Sequence, residues 1–131
     1  MPPLSPPSPS QIPTSYATVS IGNPQHPLPQ KLFAIATAGF LGIELGFPDL
    51  LSFASTHIGR EAQPQDYDAL CDAGREVRKM CEELGLKVVM LQPFGQFEGW
   101  TPMTKERKDA FDRADGWIRI MQAVGTDMLQ V

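Results

Sequence analysis

The stretch from Asp66 to Leu91, DYDALCDAGREVRKMCEELGLKVVML, reads as a helix, a turn and a strand in that order. Tyr67, Leu70, Cys71, Gly74, Val77, Cys81 and Leu84 recur at three- and four-residue intervals, which lays one stripe along a helix over residues 66–84. Gly85 then suits the left-handed cap that closes a helix before a tight turn. Lys87-Val-Val-Met-Leu91 is a short, nearly continuous apolar run, as expected of a parallel strand covered by helices.

The same unit stands on either side of this stretch. Upstream, Leu28, Leu32, Ile35 and Ala36 space a helix over Pro27–Ala38, Gly39 follows, and Gly42-Ile-Glu-Leu45 is the next strand. Downstream, Ala110, Phe111, Ala114, Trp117, Ile118, Met121 and Val124 mark a helix over residues 105–124, followed by Gly125 and the strand Asp127–Val131. Tyr16–Ile21, a β-branched run, opens the series. The capping glycines are 46 and 40 residues apart. A βα unit of that length, repeated, predicts an α/β fold with a parallel sheet, here four strands and three helices.

The connections are unequal. Helix-to-strand turns take two or three residues, whereas the strand-to-helix loops Gly22–His26, Gly46–Gln65 and Gln92–Thr104 are long. In parallel α/β folds such loops gather at the carboxyl ends of the strands, where ligands bind. Leu50, Leu51 and Ala54 predict a short helix around Pro48–His57 inside the second loop. Two architectures fit the order: the amino-terminal half of a (β/α)8 barrel, which needs about 250 residues in full, and a small open sheet complete at this size. The second usually has a fifth strand and a closing helix, so the pattern favours the half-barrel. A half-barrel leaves open strand edges at Tyr16–Ile21 and Met128–Val131, which invite self-association.

Composition narrows the function classes. The chain has 131 residues, 42% of them hydrophobic, and a formal net charge of −4. That balance argues against a nucleic-acid partner and against docking on anionic membranes, and no run is long and apolar enough for a membrane span. Residues 1–14, MPPLSPPSPSQIPT, hold six of the thirteen prolines and predict a disordered or polyproline tail ahead of a single domain over residues 15–131. The tail lacks the cationic and apolar regions of a secretory signal, so a cytoplasmic setting with Cys71 and Cys81 as free thiols is expected.

Four residues are candidates for ligand contact. Glu44 lies within the apolar run of the second strand, where a carboxylate must face a polar cavity or find a partner. Gln92 stands at the tip of the third strand with a donor and an acceptor, and Phe94 and Glu98 follow on its loop. The competing readings are an ion pair for Glu44, and aromatic cover of the barrel end by Phe94, Phe97 and Trp100. His26 and His57, one in each of the first two loops, are weaker candidates for a base or a ligand. Cys71 and Cys81 share one helical stripe and read as small packing residues.

The run Ala38-Gly-Phe-Leu-Gly-Ile-Glu-Leu45, after its strand and helix, resembles the xylose-isomerase-like TIM-barrel superfamily of sugar phosphate isomerases and epimerases. Cys81-Glu-Glu-Leu-Gly-Leu86, Leu91-Gln-Pro-Phe94 and Phe97-Glu-Gly99 are similar to fungal 3-dehydroshikimate dehydratases, although Gly95-Gln96 stand where that subgroup carries a basic residue. The resemblance covers residues 15–131 and implies the amino-terminal half of a barrel lyase or isomerase. It implies a small polyhydroxylated carbonyl substrate, and a divalent metal held by carboxylates, histidine or glutamine on later strands. This chain would then contribute Glu44, Gln92, Phe94 and Glu98 to the substrate rim, supply no catalytic or metal-ligating residue, and bind no metal tightly by itself.

Overall fold

The computed structural model describes residues 1–6, 8 and 12–131. The described residues of the proline-rich segment are exposed and belong to no helix or strand, and Pro7, Pro9, Ser10 and Gln11 of the expected tail lie outside the described residues. The ordered elements are β1 (Ser15–Ala17), α1 (Leu28–Thr37), β2 (Gly42–Gly46), α2 (Phe47–Ile58), α3 (Tyr67–Glu83), β3 (Lys87–Gln92) and α4 (Lys105–Val124). The strands form one parallel sheet in the order β1-β2-β3. Leu129 makes a parallel bridge to Leu91 beyond β3, so chain order is kept to the last segment. This is the architecture of a partial TIM barrel.

Two elements differ from their sequence outlines. The first strand ends at Ala17 and gives way to a 3-10 turn at Thr18–Ser20. At the turn, buried Thr18 accepts the Gly46 N–H on its hydroxyl (2.9 Å) and the Lys31 ammonium on its carbonyl (3.2 Å). The fourth strand is reduced to the Leu129 bridge, held by Leu91 N–H to Met128 O (3.1 Å), Gln130 N–H to Leu91 O (3.1 Å) and Phe94 N–H to Gln130 O (2.8 Å). The helix expected inside the second loop around Pro48–His57 is present and runs one residue further at each end, which brings the helices among the described residues to four. Pro48 sits in its first turn, Asp49 follows near the positive helix end, and Gly59 closes it with φ 72°.

Gly39, Gly85 and Gly125 all take positive φ after their helices, as the caps require. The core lies between the sheet and the helices: Ile43 and Leu45 of β2, and Val88 and Leu91 of β3, meet Leu32, Ile35, Leu50, Leu70, Val77 and Ile120. Phe111 and Ile118, read as part of the α4 stripe, are about half exposed. The Phe111 ring packs edge-on against Phe97 of the β3–α4 loop, so it covers that loop and leaves the core to Trp117, Ile120 and Val124.

A bulge in β3 places the site. Ile43 pairs with Val88, but Glu44 pairs with Met90, so Val89 is an extra residue. Val88 and Leu91 are three apart and both buried, which strict alternation forbids. The bulge resolves the conflict and brings Gln92 into register with Gly46.

Candidate functional site

Strand alternation turns Ile43 and Leu45 toward the helices and Glu44 toward the opposite face of the sheet, where it is half-buried. Gln92, also half-buried, lies on the same face one strand over. Its side-chain amide donates to a Glu44 carboxylate oxygen, Nε2 to Oε2 at 3.3 Å. The contact runs diagonally from the middle of β2 to the carboxyl end of β3. It leaves one amide proton, the amide carbonyl and the second carboxylate oxygen for other partners. A pair of this kind recognises hydroxyl and carbonyl groups.

Phe94 and Glu98 stand apart from that contact. Phe94 is only 1% exposed, and its ring packs on Phe97 (centroids 5.5 Å) and Trp117 (5.0 Å), with Phe47 stacked on Trp117 at 4.4 Å. Glu98 is exposed on the loop. His26 accepts the Asn23 N–H on Nδ1 at 3.1 Å, and His57 stacks on Phe53 one turn earlier in α2; both contacts are local to their own segments. Cys71 and Cys81 are buried free thiols. Burial pushes both up, Cys81 to about 12, so neither ionises readily as a nucleophile needs.

Sequence reasoning missed a second polar cluster below the strand ends. Lys31 of α1 donates to Asp49 of α2 at 2.9 Å and to the Thr18 carbonyl, and Thr18, Lys31 and Asp49 are all buried. Asp49 Oδ2 is buried without a hydrogen-bond partner. One signal was available: Lys31 falls on the apolar stripe of α1, three residues after Leu28 and four before Ile35.

Among the described residues no three His, Cys, Asp or Glu side chains come together to hold an ion. Glu44 and Gln92 offer one carboxylate and one amide on the sheet face opposite the helices, so the residues present do not fit a catalytic metal centre by themselves. Among the described residues no helix is long and apolar enough to cross a membrane.

The profile of the xylose isomerase-like TIM barrel matches residues 32–131. The chain belongs to this family. Within the xylose isomerase-like TIM barrels it is similar to a 3-dehydroshikimate dehydratase of Pseudomonas putida, 37% identical over 117 residues that make up 89% of this chain and 15% of that protein. A Neurospora crassa 3-dehydroshikimate dehydratase is 32% identical over 108 residues, 81% of this chain and 30% of the relative. Among solved structures, a xylose isomerase-like TIM barrel/4-hydroxyphenylpyruvate dioxygenase fusion protein superposes with a TM-score of 0.66 at 37% identity, over 88% of this chain and 15% of that one. The chain therefore spans less than a third of the length of these relatives.

Proposed function

We propose that the chain forms the opening βα units of a cytoplasmic barrel enzyme that dehydrates 3-dehydroshikimate to protocatechuate or carries out related isomerisation chemistry on a small polyhydroxylated carbonyl compound. The observation that carries this reading is the Gln92–Glu44 contact at 3.3 Å on the sheet face opposite the helices, in a chain 37% identical to a dehydratase. In this reading Glu44 and Gln92 bind substrate hydroxyl and carbonyl oxygens, and the Phe94–Glu98 loop borders the same end of the barrel. A divalent metal in the complete enzyme would polarise the carbonyl, and its ligands would come from outside these residues. The role of Glu44 and Gln92 is to orient the ring so that the proton beside the carbonyl and the departing hydroxyl are aligned.

The 131-residue chain alone is expected neither to hold a stoichiometric catalytic metal nor to release protocatechuate from 3-dehydroshikimate. Elemental analysis and protocatechuate absorbance read the two quantities. Supplying the carboxyl-terminal portion of a dehydratase in trans should raise the melting temperature and bring metal binding with it. Metal-dependent turnover by the 131 residues alone would sink the proposal.

Self-association is part of the same reading. The uncovered sheet face bears half-buried Glu44, Met90 and Gln92, and the sheet margins carry Tyr16 and Met128 at 36% and 49% exposure. Sedimentation should show concentration-dependent oligomers. A cooperative monomer at high concentration would instead favour a complete small α/β binding module.

A further inference from the structure

The loop between β3 and α4 is tied to its helix by one side chain. Arg113, on the second turn and a half of α4, donates from one terminal nitrogen to the Gly95 carbonyl at 3.1 Å and from the other to the Gln96 carbonyl at 2.9 Å. Its Nε donates to Asp109 at 3.1 Å, and its guanidinium lies over the Phe94 ring with 5.0 Å to the centroid. All three guanidinium nitrogens are thus engaged within the chain. That leaves Arg113 poorly placed to bind a substrate anion and well placed to hold backbone.

Gln96 has φ 55°, a left-handed conformation disfavoured for a residue with a Cβ. Its carbonyl receives a second donor, the Trp100 indole N–H at 2.8 Å. Two donors converging on one carbonyl account for a non-glycine residue holding this conformation. Together Gln96, Trp100 and Arg113 wall a surface cleft of about 550 Å³ against the start of α4.

We propose that Arg113 is a positioning residue that latches residues 95–100 onto α4 and thereby holds the strand-end loop following Gln92 in its ligand-ready form. The function of this latch rests on the proposed role of Glu44 and Gln92, but its existence does not. Without the guanidinium fork the Gly95 and Gln96 carbonyls lose their helix-borne donors and the loop opens at Gln96. A lysine keeps the charge but not the fork, so it holds one carbonyl at most.

Hydrogen exchange on the 131-residue chain, followed by NMR at the Trp100 indole N–H that the Gln96 carbonyl accepts at 2.8 Å, tests this. In Arg113→Met, exchange of that indole proton should rise at least tenfold while the amides of residues 67–83 of α3 keep their wild-type protection, and Arg113→Lys should fall between the two. Arg113→Gln, which keeps an amide donor in place of the fork, should raise the exchange by a smaller factor and serves if Arg113→Met does not fold. Unchanged loop exchange in the folded variants would overturn the latch. So would an equal rise throughout the chain, because Arg113 would then be a general stability contact. The readout involves no substrate, so loss of the proposed function of Glu44 and Gln92 would leave its result standing.

Discussion

Lys31 Nζ lies 2.9 Å from Asp49 Oδ1, with the two side chains only 3% and 9% exposed, and the pair joins α1 to α2 directly beneath the strand ends. Taking two charges out of water is costly, and the attraction offsets that cost only while both partners are present. Lys31→Met should therefore lower stability by about 3–5 kcal/mol, read as a shift of the urea midpoint. The double substitution Lys31→Met with Asp49→Leu should recover most of the loss, since a buried pair replaced by apolar groups is often neutral. A single variant as stable as the parent would show that the pair is hydrated in solution.

Gly116 is a second point of tight fit. A Cβ built there would lie 2.3 Å from carbons of the Tyr67 ring, so a side chain at position 116 would have to displace that ring. Gly116→Ala should gain about 1 kcal/mol of helix propensity but lose about 1–3 kcal/mol to overpacking. The expected net result is a lower melting temperature. Gly95→Ala, where a Cβ would meet nothing within 4 Å, is the control and should be close to neutral.

The buried thiols give stability a dependence on alkaline pH. Burial holds Cys81 as the neutral thiol up to about 12, whereas an unfolded cysteine titrates near ~8.5. The folded state therefore binds the proton more tightly. Its contribution is fully present below the unfolded value and is lost as pH rises from there toward 12. Urea midpoints should fall across that window, and Cys81→Ala should flatten the fall while adding a pH-independent packing loss. A thiol reagent at pH 8 should modify neither cysteine in the folded chain and both in urea.

In its proposed role, Glu44 would separate ligand binding from folding. Its contact with Gln92 is a half-buried hydrogen bond at 3.3 Å, worth about 0.5–1.5 kcal/mol. Glu44→Ala should cost no more than that in stability. In a barrel completed in trans, the same change should lower kcat/KM for 3-dehydroshikimate by roughly 10- to 100-fold, the loss of hydrogen bonds to a charged group. Retained kcat/KM in a folded, completed barrel would remove Glu44 from the site.

Phe94 should behave in the opposite way. Its ring is 1% exposed between Phe97 and Trp117, so Phe94→Ala should cost about 3–5 kcal/mol and shift the Trp117 emission to longer wavelength.

The α/β order, the helix caps at Gly39, Gly85 and Gly125, and the placing of Gln92 at a strand end were legible in the sequence, because local periodicity and backbone preference determine them, whereas Glu44 sits at the centre of β2 rather than at its end. The tertiary structure decided the rest. The partners of Thr18 at the turn are Gly46, 28 residues away, and Lys31, 13 away, neither of which a local window weighs. The extra residue Val89 arises because Val88 and Leu91 must both reach the core, a demand set by the helices above the sheet rather than by β3 itself. That bulge is what puts Gln92 beside Glu44, 48 residues apart in the chain. Lys31 sits on the apolar stripe of α1 but its partner Asp49 looks like an ordinary solvated charge until α1 and α2 pack together, and Arg113 looks like one of many surface arginines until the Gln96 carbonyl turns toward it. Short-range preferences chose the elements, and long-range hydrogen bonds and burial chose which polar groups meet.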